Sequence, residues 1–402
     1  MNVNGADEAV FLPLGFLWSA TKAGIKASGR ADLALAEAPM GASAAAMFTR
    51  NRVVAAPVEV GRAHLRKSRG RVRAVLVNAG NANCATGAAG IAVAEQSCAA
   101  LGAALEAAPQ FIVPSSTGII GVPLPVEKLV KAIPAVVEGR GGDAEALKAF
   151  ATAIMTTDTR MKLASAEFAA GKKTVRIAGV CKGSGMIHPN MATMLVYIFT
   201  DLEAEPVDLR AALKAAVDTT FNAISVDGDT STNDTVLVLA SGASKVKLAA
   251  VAKKFAEALR GVCASLAEQV VRDGEGAEHL VRLRISGAKS VDEARTIARS
   301  IANSPLVKTA WAGCDPNWGR ILSSVGKSGV AVDAAKINIF FGPQQVCKGG
   351  VAHAFDEKQA HEYLKQAEYE IRVELGRGKS ALEFLTCDLT VEYVHINADY
   401  ST

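Results

Sequence analysis

Aromatic residues are scarce in this 402-residue sequence, at 5%, and no segment stays apolar for the length of a bilayer span. The apolar stretch 9–18 is interrupted by Pro13 and follows Asp7 and Glu8 rather than a basic segment, so it does not read as an export signal. No Arg- and Ser-rich leader is present either, and the expected location is the cytoplasm, with no membrane partner. Long runs of one charge are also missing. The 44 basic and 40 acidic residues leave a net charge of +4, without the basic stripe that nucleic acid requires, which turns attention to small-molecule partners. The seven cysteines are odd in number, scattered and never spaced C-x-x-C, so reduced thiols are expected rather than a disulfide framework or a zinc site. The six histidines show no H-E-x-x-H spacing, and no metal is expected.

Alanine and glycine are abundant, and half of the residues are apolar. A chain of this length predicts two packed regions or one large body with an appendage. Short β-branched runs at 72–77, 111–113, 174–180, 194–199 and 235–240 read as strands, and 91–106, 206–220 and 248–272 read as helices. Strands occur in neighbouring pairs as often as singly. This pattern predicts an α/β fold with β-sheets sandwiched between helical layers, rather than a doubly wound parallel sheet. A helix stop near 274–276, followed by strand, helix and strand, predicts a main body over 1–280 and a smaller C-terminal α/β domain over 281–402.

Several motifs mislead. Gly326-Lys327-Ser328 and Gly378-Lys379-Ser380 imitate a phosphate loop, but the earlier glycine that loop needs is replaced by Ile321 and Val373, so both read as turns. The segment 227–231 begins like a calcium loop, yet Thr232 and Val238 stand where the turn glycine and the bidentate glutamate belong. Ser19-Ala20-Thr21-Lys22 has Ser-x-x-Lys spacing without the companion Lys-Thr-Gly element.

The unusual stretch is 182–197, where a glycine-containing loop runs into an apolar strand headed by Thr193. Threonine often begins strands through β propensity alone. Its hydroxyl becomes a nucleophile only when a base removes the proton, and a threonine at a chain start carries that base as its own α-amine. Such an amine titrates at about 7.7 to 8.0, so modest burial leaves it neutral near pH 7. An internal Thr193 must first be released, and the small Ala192 before it leaves room for the hydroxyl to attack the preceding carbonyl.

Residues 182–195 resemble the processing segment of the glutamate N-acetyltransferase, or ornithine acetyltransferase, family of arginine biosynthesis. The likeness extends over nearly the whole chain. It takes in 78–83, 115–121, 156–159, the 227–234 loop, 273–277, 312–320 and 397–402. The resemblance implies an N-terminal-nucleophile architecture and self-cleavage between Ala192 and Thr193 into chains 1–192 and 193–402. It implies association of the two chains, and of two such pairs into a heterotetramer. It further implies a ping-pong cycle in which Thr193 takes acetyl from N-acetylornithine and passes it to glutamate, with no dissociable cofactor. Some relatives also use acetyl-CoA as a substrate.

Residue by residue, the resemblance assigns Thr117 and Gly118 to an oxyanion hole, a feature worth about 3 to 4 kcal/mol per donor. It assigns Thr159, Lys182, Thr193, Glu275, Asn397 and Thr402 to substrate binding. Each also has a plainer reading. From the residues alone, 114–118 is a Pro/Ser/Gly turn after a strand ending at Val113, Lys182 and Thr159 are solvated polar groups, Glu275 flanks a helix-ending glycine, and 397–402 is a frayed tail. His188 is open to substrate contact or simple loop solvation. Two alternatives to the transferase stand beside it: an aminopeptidase or amidase of the same architecture using water as acceptor, and a non-catalytic amino-acid-binding protein.

Overall fold

The long strand Leu33–Phe48 organises the computed structural model, which describes residues 3–5, 8–188 and 194–399. Its first half pairs with Leu17–Thr21 and with Arg71–Asn81, and its second half with Thr235–Ala240. Between them the register shifts from Glu37 to Ala42, and Met40 is fully exposed at the bulge. A bulge of this kind bends a strand and sharpens its twist. Among the described residues, one sheet of nine strands is thereby carried over into two facing layers, with Leu17–Thr21, Arg71–Asn81 and Ile112–Ile119 in one, and Lys162–Ala170, Lys173–Lys182, Leu195–Thr200 and Thr235–Ala240 in the other.

The packing follows from the alternation of side chains along a strand. Leu33 and Leu35 point outward to a core shared with the helices Ala56–Lys67, Gly87–Ala104 and Val126–Glu138. Ala34 and Ala36 point inward, against Val180, Tyr197, Phe199 and Leu237 of the other layer. That layer buries its far face, including Val196, Ile198, Val236 and Val238, under the helices Pro206–Asp218 and Leu248–Arg272. The result is helix, sheet, sheet, helix, the sandwich expected from the sequence. The few aromatics are concentrated where they fill the inter-sheet space. Phe16, Trp18, Phe150, Tyr197 and Phe199 form a mostly edge-to-face cluster with ring centroids 5.2 to 6.2 Å apart.

A seven-stranded second sheet contains Leu280–Ala288, Asn338–Phe341, Gln344–Lys348, Val351–Ala352, Glu368–Glu374 and Ser380–Cys387, with one face covered by the helices Val291–Ala302, Pro305–Ala312 and Trp318–Gly326. The seventh strand, Ile224–Ser225, comes from earlier in the chain and pairs in parallel with Ser380–Cys387. Gly326 closes a helix and 376–377 is a bend before the strand Ser380–Cys387, so neither Gly-Lys-Ser triplet has a strand leading into a helix start. Among the described residues no helix is long and apolar enough to cross a membrane, and all seven cysteines are unpaired.

One local expectation is corrected. Residues 114–118 are not a turn after a strand ending at Val113: the strand runs through Ile112–Ile119. Among the described residues it pairs only with Arg71–Asn81 and forms the edge of its layer, where the missing N–H of Pro114 is tolerated.

The alanines facing the opposite layer are a testable part of this design. Replacing Ala36, which is 2% exposed, with leucine overpacks the inter-sheet core and should cost about 1–3 kcal/mol in denaturant unfolding. Met40→Ala, at the exposed bulge, should leave stability unchanged.

Candidate active site

A cleft of about 220 Å³ opens at the end of the two β layers, lined by Thr117, Gly118, Lys182, Glu275 and Asn397 together with Asp227, Asn233 and Tyr393. Five of the positions singled out in the sequence therefore meet here, from four separate elements. Ala192 and Thr193 lie outside the described residues, as does Thr402. Their described neighbour Met194 is fixed at the head of Leu195–Thr200: its N–H donates to Asp234 Oδ1 at 3.1 Å, and its carbonyl accepts the N–H of Thr235 at 3.1 Å.

Thr117 and Gly118 come from the edge strand. At this point Asn81 pairs with both Thr117 and Ile119, which leaves Gly118 at a bulge with φ +132°. A Cβ there would lie 2.3 Å from the carbonyl carbon of Gly80, so only glycine fits. Lys182 comes from the opposite layer, at the end of Lys173–Lys182. Its ammonium donates to Thr117 Oγ1 at 3.3 Å across the gap between layers. An ammonium only donates, so the Thr117 hydroxyl accepts from it and keeps its own proton for another acceptor. Burial lowers the pKa of Lys182 below the usual lysine value, and Asp158 is the first of the charges that oppose this.

Glu275 reaches over the loop that follows Lys182. Its N–H donates to the Ser184 carbonyl at 2.9 Å, and its carboxylate accepts from Asn397 Nδ2 at 3.0 Å. Gly185 permits the approach, since a Cβ there would sit 2.4 Å from the Glu275 carboxyl carbon. Asn397 belongs to the helix Val391–Asp399, so this part of the C-terminal segment packs on the cleft as an ordered helix. The loop is clamped from below by Asp227, whose carboxylate accepts the N–H groups of Met186 and, at 2.9 Å, of Ile187. Burial pushes Asp227 up to about 6 against the pull of these donors.

Thr159 is placed differently. Its hydroxyl donates to Asp273, as does its N–H at 3.1 Å, and it lines an adjoining cleft that shares Thr156, Thr157 and Glu275 with the first. His188 is half-buried and faces Asn303, with Nδ1 2.9 Å from its Nδ2, and it does not line the first cleft. Among the described residues, the grouping with metal-ligand spacing is Glu278, His279 and Asp388. Asp388 there accepts the N–H groups of Glu278 and His279 and bonds the His279 ring nitrogen at 2.8 Å, a capping arrangement that does not line the first cleft.

Sequence reasoning assigned no role to four buried groups that hold this site. Asp158, Lys162 and Asp273 form a joined ion pair beneath it, and Asn233 ties the layers together. Asp158 and Asp273 fall inside motifs quoted above, but a lone lysine such as Lys162 carries no sequence signal.

A model of the ArgJ family matches residues 17–402. A protein of Thermus thermophilus named arginine biosynthesis bifunctional protein ArgJ is 46% identical over 395 residues, covering 98% of this chain and 100% of that protein. A protein of the same name from Syntrophotalea carbinolica is 47% identical over 394 residues, covering 96% and 99%. Among solved structures, the arginine biosynthesis bifunctional protein of Bacillus halodurans is 42% identical with a TM-score of 0.49, covering 51% of this chain and 98% of the solved one.

The charge array under the cleft makes a prediction for acid stability. Burial alone would raise Asp158, but the Lys162 and Lys182 ammonium groups and its hydrogen bonds hold it down to about 2. A depressed carboxylate pKa stabilises the fold above the unfolded-state value, and the stabilisation is lost as pH falls through the folded-state value. Asp158 should therefore contribute about 2 kcal/mol above pH ~4 that disappears between pH ~4 and ~2. Urea unfolding across that window should show a shallower pH dependence in Asp158→Asn than in the wild type. Equal slopes would remove the assignment.

Proposed function

The chain belongs to the ArgJ family, and from that premise we propose that Thr193, freed as a chain start by cleavage after Ala192, is the nucleophile of its acetyl transfer. It is an acetyltransferase of arginine biosynthesis. The proposal rests above all on the convergence of Thr117, Gly118, Lys182, Glu275 and Asn397 on one small cleft beside the position where Met194 is anchored.

In the first half-reaction the Thr193 hydroxyl attacks the acetyl carbonyl of N-acetylornithine, with its α-amine as base. The tetrahedral oxyanion is met by the Thr117 hydroxyl, whose proton is free because Lys182 already donates to its oxygen, and by the Gly118 amide. The C–N bond then breaks, the amine returns the proton to ornithine, and acetyl remains on Thr193 as an ester. Glutamate enters by the reverse steps and leaves as N-acetylglutamate. Lys182 supplies a cation for the substrate α-carboxylate. Glu275, oriented by Asn397, supplies an anion for the ornithine side-chain amine. Thr159 and the terminal Thr402 complete the binding set.

No dissociable cofactor takes part. Acetyl-CoA serves as a second donor for glutamate, which accords with the word bifunctional in the relatives' names. Chains 1–192 and 193–402 stay joined, because the inner cores draw on strands and helices from both, and pairs of them form the heterotetramer in the cytoplasm.

On a denaturing gel, freshly expressed protein should give two bands of similar size, with the larger starting at Thr193 on end sequencing. Thr193→Ala should give one uncut band and no transfer. Active enzyme made only of uncut chain would overturn the mechanism. Acetylornithine and glutamate together should yield acetylglutamate, whereas free acetate alone would identify a hydrolase. Deleting Ser401 and Thr402 should abolish transfer while the melting temperature holds.

A further inference from the structure

Lys162 begins the strand Lys162–Ala170, and its side chain is 1% exposed. Its ammonium donates to Asp158 Oδ1 at 2.6 Å, to Asp273 Oδ2 at 2.5 Å and to the Arg160 carbonyl at 3.3 Å. Each carboxylate also gathers backbone N–H groups from the segments around the cleft. Asp158 accepts from Gly183 at 2.7 Å and from Thr156 at 3.0 Å. Asp273 accepts from Thr159 at 3.1 Å and from Arg160 at 3.3 Å, and also takes the Thr159 hydroxyl. Gly183 directly follows Lys182, and Glu275 lies two residues beyond Asp273. One buried cation thus closes a bonded ring over 156–160, 182–183 and 273–275.

We propose that Lys162 is a positioning residue for acetyl transfer, whose bonds to Asp158 and Asp273 hold Lys182, Thr159 and Glu275 in register and set the charge balance around Lys182. The inference rests on reading the cleft as the acetyl-transfer site. Buried ion pairs frequently give little net stability relative to apolar packing, while removal of one partner leaves an uncompensated charge. A ring that bridges three segments is therefore better understood by the geometry it imposes. Each of its acceptors is occupied by an N–H or O–H belonging to a cleft-lining segment or the residue next to one.

The charge argument has a sign. The groups facing Lys182 are Asp158, Glu275 and Asp234, which favour its cationic form, and Lys162, which opposes it, with Lys26 a further cation nearby. Neutralising Asp158 lets Lys182 lose its proton at lower pH, and neutralising Lys162 lets it keep the proton to higher pH.

The test uses wild-type, Asp158→Asn and Lys162→Met enzymes, each purified in the processed form. In Lys162→Met, KM for N-acetylornithine and for glutamate should rise about tenfold or more with a smaller change in kcat, the pattern of lost binding geometry. The alkaline fall of kcat/KM should move down by about half a pH unit or more in Asp158→Asn and up in Lys162→Met. A merely structural pair would lower the melting temperature and move neither limb. Limbs that coincide with the wild type in folded, processed enzyme overturn the inference. If Lys162→Met does not fold, Asp158→Asn decides alone. Wild-type enzyme that transfers no acetyl would instead sink the functional reading, so the two failures are distinct.

Discussion

The site depends on a single amide that locks two β layers together. Asn233, just before Thr235–Ala240 in one layer, donates from Nδ2 to the Ala82 carbonyl at 2.7 Å and to the Ser116 carbonyl at 2.9 Å in the other. Both amide protons are used, and both acceptors are buried, so sliding the layers would orphan carbonyls at a cost of about 1–3 kcal/mol each. Ser116 is itself held, donating to Asn78 Oδ1 at 2.6 Å. The next residue is Thr117. With its strand fixed in this way, the Thr117 hydroxyl meets Lys182 from the opposite layer, a contact that neither layer could make alone. The small inward side chains of 33–48 serve the same end, since bulkier ones would hold the layers apart along their length.

Charge is managed with equal economy beneath the cleft. Lys162 pairs with Asp158 and Asp273, and Lys182 shares the influence of Asp158, all of them buried. Asp234 adds a third carboxyl, raised well above its ordinary range by burial and only partly pulled back by the Met194 N–H and Lys182. A low dielectric strengthens every one of these interactions, so the ionisation of each group depends on its neighbours. That coupling explains how Lys182 can be buried and still available as a cation: burial works against its charge, and Asp158 is the leading influence in favour.

What the sequence disclosed follows the strength of local signals. β-branched runs such as 174–180 and 235–240 lie within the strands Lys173–Lys182 and Thr235–Ala240, and the helical period of 248–272 matches Leu248–Arg272. The strand Leu33–Phe48 was not legible. Alanine is depleted in strands, and its selection here answers to the distance between two layers, a tertiary demand with no local period. Pro114 misled for the opposite reason: it marks a strand end in general, but an edge strand needs no N–H on its open side. At the site, Thr117, Gly118, Lys182, Glu275 and Asn397 were legible only through the family motifs around them. Lys162 was invisible because its significance lies in two carboxylates from distant segments, 158 and 273, that meet only in the folded chain.

The same topology bears on the proposed backbone cut between 192 and 193. Lys173–Lys182 and Leu195–Thr200 are antiparallel neighbours, paired from Ile177 with Thr200 to Lys182 with Leu195. Residues before and after 192 therefore share one ladder. They also share the inter-sheet core, where Phe150 packs on Tyr197 and Phe199, and the outer core, where Ala164 and Ile177 lie with Val262 and Leu266. Separating the two parts would break that ladder and expose both cores at about 25 cal/mol per Å² of apolar surface. The ion ring adds a polar tie, since Lys162 and Asp158 precede the junction and Asp273 follows it. Covalent continuity at 192–193 is thus redundant for holding the halves together. A chain cut as proposed between 192 and 193 would keep these contacts, because none of them runs through the bond that is broken.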